Sequence, residues 1–322
     1  MPEHPKVLMH NDHTQDLEAA LVARFPTIIH FSCTSYAELP QALEVFRPDV
    51  IYSVRFAGTP GFPRAALFAP GGPRWIANGG AGTDHFGQWD PLQVTVTNAA
   101  GVAADMMAEY VIGGFLHFNL DVPGLRRDQK AKVWGARQVR PLKGKTLLIV
   151  GLGHTGRAIA ALAQAFGMTV LGTRARPQPM DNVDEVQGSE VLLTLLPRAD
   201  YVAVAAPLTP ATKGLIDAKA IQSMKPGAIL ADVSRGGVVD QRALYDALMS
   251  GPLAAAVLDV FEHEPLPVES PLWALENVLI SPHCSSVYEG WEMASFSLFL
   301  DNLSNWIEGT PLFNVVDPAR GY

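Results

Sequence analysis

From Lys6 onward the chain alternates short apolar runs of strand length with segments whose apolar positions recur at helical spacing. KVLMH and residues 27–30, 49–53 and 74–77 are the runs, and residues 17–23, 37–46 and 64–68 have the helical pattern. This is βαβα order, which predicts a parallel sheet covered on both faces. A further run at 94–98 leads into residues 103–120, an almost wholly apolar stretch of helical length whose acids are Asp105 and Glu109. A helix apolar on most faces belongs between domains or between subunits, and Glu109 within it reads as a paired structural carboxylate rather than a catalyst. The polar residues 126–138 read as a surface arm.

The alternation then restarts. Residues 146–150 form a strand that stops at Gly151, Gly153 and Gly156, before a helical stretch at 157–166. Strands follow at 169–172, 201–205, 228–233, 254–258 and 278–281, with helices at 189–196, 218–224 and 241–249, as a doubly wound sheet requires. A last helical stretch, 287–306, can carry the chain back onto the first domain. In a dinucleotide-binding unit the first glycine makes the turn, the second admits a pyrophosphate and the third lets helix pack on strand. Phosphates then meet free N–H groups at the helix N-terminus. A glycine turn also simply joins strands to helices; the strand before it and the helix after it favour the cofactor.

An acid at the end of the next strand would hold the ribose hydroxyls of NAD. Here that end reads Thr173, Arg174, Ala175, Arg176. Guanidinium groups pair with phosphate, so the turn is either a solvated basic corner or a 2′-phosphate site, and NADPH is favoured with NAD as the lesser cofactor. Ligands of such sheets lie at the carboxyl ends of strands. Arg235, Asp259, Glu264 and His283 all follow strand ends. NGGAGTDH, residues 78–85, follows another, as an anion nest or as a flexible exit.

Composition narrows the class. A chain of 322 residues suits two domains, and a net charge of −8 disfavours nucleic acid and anionic membrane as partners. Cys33 and Cys284 could close one bridge at most, no apolar run spans a bilayer and the first residues lack a signal-type core, so a cytoplasmic protein is expected. No metal site is expected.

NGGAGTDH, the Ala108–Glu109 pair, GLGHTG at 151–156, APLTPAT at 206–212, VSRGGVVD at 233–240, LDVFEHEPLP at 258–267 and ISPHCSS at 280–286 recur in order over nearly the whole chain. In these pieces the chain resembles the D-isomer-specific 2-hydroxyacid dehydrogenase family, and within it the glyoxylate and hydroxypyruvate reductases. The resemblance implies a Rossmann cofactor domain, 99–283, inserted into a flavodoxin-like substrate domain made of 1–98 and 284–322. It implies that Arg235 binds the substrate carboxylate and carbonyl, His283 donates the proton and Glu264 orients His283. It places the cofactor against Gly151, Gly153, His154, Thr155, Gly156, Thr173, Arg174, Arg176, Ala206, Pro207, Thr212, Val233 and Asp259, the last near the nicotinamide. Ala81 and Gly82 offer N–H groups to the substrate carboxylate, Ser286 matches a substrate-side serine, and the 103–120 helix becomes the surface of a homodimer.

The chemistry supports these roles independently. Reducing a 2-oxo acid requires a hydride at the carbonyl carbon, a proton for the alkoxide and positive charge for the carboxylate. A histidine supported by a carboxylate supplies the proton, and an arginine fork orients the oxo acid. Two departures from the family pattern stand out. Cys284 and Ser285 replace an aliphatic residue followed by Gly or Ala, so Cys284 is an oxidation-sensitive thiol or, as favoured here, a small buried packing residue. Arg55 either faces solvent or adds a second cation to the substrate site, which would admit a bulkier or dicarboxylic oxo acid. The expected activity is NAD(P)H-dependent reduction of a small 2-oxo acid to the D-2-hydroxy acid. The alternative is a dinucleotide-sensing, corepressor-like binding protein. Formate dehydrogenases carry glutamine in place of the catalytic glutamate, and the phosphoglycerate enzymes often add a regulatory domain for which 322 residues leave no room.

Overall fold

The computed structural model describes residues 5–54 and 61–320. The chain divides into two compact units, Met1–Val102 with Glu289–Tyr322, and Ala103–Tyr288. The sequence reading put the two crossings at 98/99 and 283/284.

The first unit is built on five parallel strands, β1 Lys6–His10, β2 Ile29–Cys33, β3 Val50–Ser53, β4 Trp75–Asn78 and β5 Thr95–Asn98. Their order, β2-β1-β3-β4-β5, is flavodoxin-like. Side chains alternate across the sheet as the period of two demands. Val7, Met9, Val50, Tyr52 and Trp75 pack under helices Gln15–Arg24 and Trp291–Glu308, while Leu8, Ile51 and Ile76 meet Leu39 and Leu43 of helix Leu39–Phe46 on the opposite face. β2 lies two residues beyond the expected start because Ile29 and Phe31 point outward from an edge strand, which hides the apolar signal.

The second unit has seven parallel strands, β6 Thr146–Val150, β7 Thr169–Thr173, β8 Glu185–Gln187, β9 Tyr201–Val204, β10 Ala228–Asp232, β11 Leu253–Leu258 and β12 Val278–Ile280. The order β12-β11-β10-β9-β6-β7-β8 reverses direction between β6 and β9, the Rossmann switch point. Leu148, Val150, Val202 and Leu230 fill one face of the sheet, and Leu147, Ile149, Ala203 and Ala231 the other. Both domains of the fold expected from the sequence are present.

Helix Ala104–Asn119 lies on the second face, where Gly114 permits contact so close that an added Cβ would stand 2.6 Å from the Val257 side chain. Ala108, Val111, Ile112 and Phe115 are buried there, and Glu109, expected to be paired, is exposed. The expected arm begins with a helix, Val122–Ala131, whose Asp121 carboxylate accepts the Gly124 N–H. Its polar composition concealed it. Residues 132–141 then run exposed, with Trp134 at 104% relative accessibility. β8 was not expected; three residues flanked by charge give no periodic signal. Among the described residues, no helix is long and apolar enough to cross a membrane.

Candidate active site

The glycine turn joins β6 to helix His154–Ala165 at the switch point of the second sheet. Gly151 has φ 105°, and a Cβ there would lie 2.7 Å from the Ala206 nitrogen, so glycine lets the exits of β6 and β9 approach. Gly156 lies against the Gly151 carbonyl, so closely that a Cβ would strike it. Gly153 is different. Its φ is −83° and its Cβ position faces open space, so neither conformation nor packing demands glycine there. No side chain caps the helix it opens. Open room beside an uncapped helix N-terminus fits a dinucleotide pyrophosphate. His154 and Thr155 form the first turn: His154 Nδ1 lies 3.3 Å from an Arg157 nitrogen, and Thr155 Oγ1 lies 3.6 Å from Met107 Sδ. Burial and the Arg157 charge lower the His154 pKa.

At the end of β7, Thr173 is buried and its carbonyl accepts the Gly151 and Leu152 N–H groups. Arg174 is half-buried, with a guanidinium nitrogen 3.3 Å from Met180 Sδ, and Arg176 is exposed. The basic corner therefore abuts the glycine turn. Beyond β9, Ala206 is buried, and Thr212 Oγ1 donates to the Pro207 carbonyl at 2.5 Å, closing the APLTPAT loop. Val233, just past β10, is buried.

β10, β11 and β12 are neighbours and parallel, so their exits share one edge. His283 Nδ1 lies 2.8 Å from Glu264 Oε2, and the Phe261 N–H donates to Glu264 Oε1 at 3.0 Å. Burial pushes the Glu264 carboxyl up, but the hydrogen bonds from His283 and Phe261 and the nearby charges of His283 and Arg235 outweigh it and leave the pKa below the ordinary value. Glu264 is thus ionised at neutral pH, Nδ1 carries the hydrogen it donates, and Nε2 is the nitrogen able to exchange a proton. In the preceding exit, Arg235 Nη1 donates to the Ser234 carbonyl at 2.7 Å.

Asp259 is buried and gathers the loop on either side of His283. It accepts from Ser281 Oγ at 2.6 Å, the Cys284 N–H at 2.8 Å, the Ser285 N–H at 3.1 Å and Ser285 Oγ at 2.6 Å. Because the Ser281 hydrogen goes to Asp259, the Tyr110 hydroxyl, 2.5 Å away, must donate to Ser281. His283 itself has φ 53°, in the left-handed region. A non-glycine residue there costs roughly 1–2 kcal/mol, and the loop bonds to Asp259 hold it in place. Ser281 and Tyr110 gave no signal in the sequence, and Ser285 stood out only as a departure from the family pattern, because hydroxyl spacing alone carries no sign of a shared carboxylate. Cys284 is exposed, not the expected buried packing residue: its own N–H and that of buried Ser285 are held on Asp259, and its side chain is left at the surface. Partial burial and the Asp259 charge raise its thiol pKa, which opposes thiolate chemistry. Ser286 is half-buried in the same loop.

In the first unit, the NGGAGTDH loop leaves β4. Asn78 Nδ2 donates to the Gly80 and Gly82 carbonyls at 2.7 and 2.9 Å, and Asn98 Nδ2, from the paired position of β5, donates to the Ala81 carbonyl at 2.7 Å. Three successive carbonyls are occupied, and the Ala81 and Gly82 N–H groups have no acceptor among the described residues. Two adjacent N–H groups are thus left for an acceptor from outside the loop. Asn78 and Asn98 were missed as the loop's supports, although both strands visibly end in asparagine. Arg55 lies outside the described residues.

The Rossmann-ordered sheet and its glycine turn define a dinucleotide-binding α/β protein. Residues 112–285 match the family profile described as D-isomer specific 2-hydroxyacid dehydrogenase, NAD binding domain. Over 229 residues, 70% of the chain, the protein is 34% identical to a D-3-phosphoglycerate dehydrogenase of Methanocaldococcus jannaschii, covering 43% of that relative. Over 177 residues, 54% of the chain, it is 42% identical to glyoxylate/hydroxypyruvate reductase B of an Enterobacter species, covering 54% of that one. The chain thus spans about half the length of these curated relatives. A D-isomer specific 2-hydroxyacid dehydrogenase from Xanthobacter autotrophicus, solved with NADPH and MES, superposes with a TM-score of 0.83 at 33% identity, covering 99% of this chain and 100% of that one. The chain belongs to the D-isomer specific 2-hydroxyacid dehydrogenase family.

Proposed function

We propose that the protein reduces a small 2-oxo acid, of the glyoxylate or hydroxypyruvate kind, to the D-2-hydroxy acid with NADPH. The observation that carries this reading is the 2.8 Å contact between His283 Nδ1 and Glu264, at the sheet edge that also bears Arg235. The bound dinucleotide supplies the hydride. Glu264 holds the imidazole so that Nε2 faces the substrate and gives its proton to the developing alkoxide. Arg235, a permanent cation, holds the carboxylate and polarises the carbonyl. Ala81 and Gly82 offer a second carboxylate anchor, and Ser286 a hydroxyl.

Gly151, Gly153 and Gly156 with the first turn, His154 and Thr155, hold the pyrophosphate, and Thr173, Arg174 and Arg176 take the 2′-phosphate. Ala206, Pro207, Thr212, Val233 and Asp259 complete the cofactor's surroundings. Support for NADPH comes from the arginines at the β7 exit and from the NADPH bound in the Xanthobacter relative. Both cysteines are free, which suits the cytoplasm. The apolar helix and the exposed Trp134 suit a homodimer.

The deciding experiment measures initial rates with NADPH and NADH against glyoxylate, hydroxypyruvate, pyruvate, phenylpyruvate and a dicarboxylic oxo acid, and with NAD⁺ against 3-phosphoglycerate. NADPH-dependent turnover of the small oxo acids is expected. Preference for the large or phosphorylated acids would replace the substrate class, and cofactor binding without turnover would replace the enzyme by a dinucleotide-sensing protein.

A further inference from the structure

Asp232 closes β10 and is buried, three residues before Arg235. Its Oδ1 accepts both the Ser234 N–H, at 3.0 Å, and the Ser234 hydroxyl, at 2.5 Å. The Ser234 carbonyl in turn accepts from Arg235 Nη1 at 2.7 Å, so Ser234 bridges the buried carboxyl and the guanidinium. At the next strand exit stands buried Asp259, whose N–H donates to the Asp232 carbonyl at 3.0 Å. Two carboxyl groups therefore leave adjacent parallel strands at one edge, one serving the Arg235 turn and the other the His283 loop.

Two buried like charges so placed oppose each other's ionisation, and hydrogen-bond donors decide which group keeps the charge. Asp259 has donors on both oxygens, from Ser281, Cys284 and Ser285, whereas among the described residues Asp232 has Ser234 alone, on one oxygen. We propose that Asp232 is a positioning residue for the oxo acid, holding the Arg235 turn through Ser234 as a neutral acid. The proposal rests on the reading of Arg235 as the substrate-carboxylate group.

Burial, followed by the Asp259 charge, outweighs the Ser234 hydrogen bonds and the Arg235 charge and pushes Asp232 up to about 7. Asp259 and Arg235 are the charges that shift it, and Glu262, beyond β11, lines the same small cavity. The β9 exit contributes only Ala205 and Ala206, and helix Ala104–Asn119, packed over β10 and β11, contributes Tyr110, which reaches Asp259 through Ser281. Above that pH a negative charge appears on Asp232 and competes with the substrate carboxylate for Arg235.

The test compares wild type, Asp232→Asn and Asp232→Ala from about pH 5.5 to about pH 9, reading KM and kcat for glyoxylate, NADPH affinity by fluorescence and the melting temperature. Wild-type KM should climb above about pH 7 while Asp232→Asn stays within about twofold across the range. Asp232→Ala, which leaves the Ser234 donors unpaired, should raise KM about tenfold at low pH with NADPH affinity unchanged. Because the fold raises this carboxyl, the folded chain binds the proton more tightly than the unfolded one, and wild type loses stability as pH rises from the ordinary 3.8 to about 7. Asp232→Asn should therefore gain in melting temperature over wild type across that interval and keep a constant lead above it. Parallel KM and melting profiles for the two proteins would overturn the proposal, as would an Asp232→Asn defect matching that of Asp232→Ala at low pH. If wild type binds NADPH without turning over any oxo acid, the catalytic reading fails and the positioning role with it, while the melting profiles separately decide whether Asp232 holds the proton.

Discussion

Glu264 is held below the ordinary carboxylate pKa by the groups around it, so it is ionised at neutral pH, and its contribution to stability is lost as pH falls through that depressed value. Its 2.8 Å contact with His283 Nδ1 fixes the tautomer and orientation of the imidazole. Glu264→Gln, which accepts the same hydrogen bond without the charge, should lower kcat for oxo-acid reduction by roughly tenfold or more with NADPH affinity intact; an unchanged kcat would deny the pairing a catalytic effect. His283→Ala should slow reduction by roughly 10²–10⁴ with NADPH affinity intact, as loss of a general acid does. Normal turnover by that variant would remove the proton-donor role. Arg174→Ala should weaken NADPH about tenfold or more and NADH little, because only the phosphorylated cofactor offers a partner for a charge-assisted pair. Equal losses would leave Arg174 a solvated corner. Arg235, Glu264 and His283 were legible in the sequence because each residue type has a chemical reason to stand at a strand end. The hydroxyls that set the His283 loop on Asp259 were not, since their partner lies 22 and 26 residues away.

At the scale of elements, the glycine turn separates structural from functional glycines. Gly156→Ala drives a Cβ into the Gly151 carbonyl, and the overpacking should cost about 1–3 kcal/mol or prevent folding. Gly153→Ala meets nothing in the chain, so its melting temperature should match wild type while its dinucleotide affinity falls, because the methyl occupies the room left for the pyrophosphate. Unchanged affinity in the Gly153 variant would shift the binding site away from this turn. Element type was readable wherever the apolar period was long, as in residues 146–150 and 241–249. Helix Val122–Ala131 and strand Glu185–Gln187 were hidden, one by a polar composition and the other by its brevity. Both owe their form to neighbours, a cap at Asp121 and the ladder to β7, rather than to a pattern of their own.

For the whole molecule, the exposed run 132–141 carries Val133, Trp134 and Val139, at 55%, 104% and 53% relative accessibility. Burying an aromatic side chain stabilises by about 2–3 kcal/mol, which makes such a run costly to leave in water and suited to a second copy. Light scattering on a sizing column should give twice the chain mass of 34.7 kDa, and Trp134→Glu should shift the population toward the single chain. A wild-type mass of one chain at micromolar concentration would sink the homodimer. The acidic net charge of −8, by contrast, was a whole-chain property legible at once.

The sequence by itself determined the order of strands and helices, the place of the glycine turn and the residue types at the strand ends, because periodicity and turn chemistry are local properties. Only the tertiary structure decided which exits are neighbours. β10, β11 and β12 lie side by side, so Arg235, Asp259 and His283, far apart in the chain, come to one edge. It alone decided that Asp232 and Asp259 are both buried there, and that Asn78 and Asn98 occupy the carbonyls of the NGGAGTDH loop. Those outcomes depend on hydrogen bonds between segments distant in sequence, whose partners no local pattern encodes.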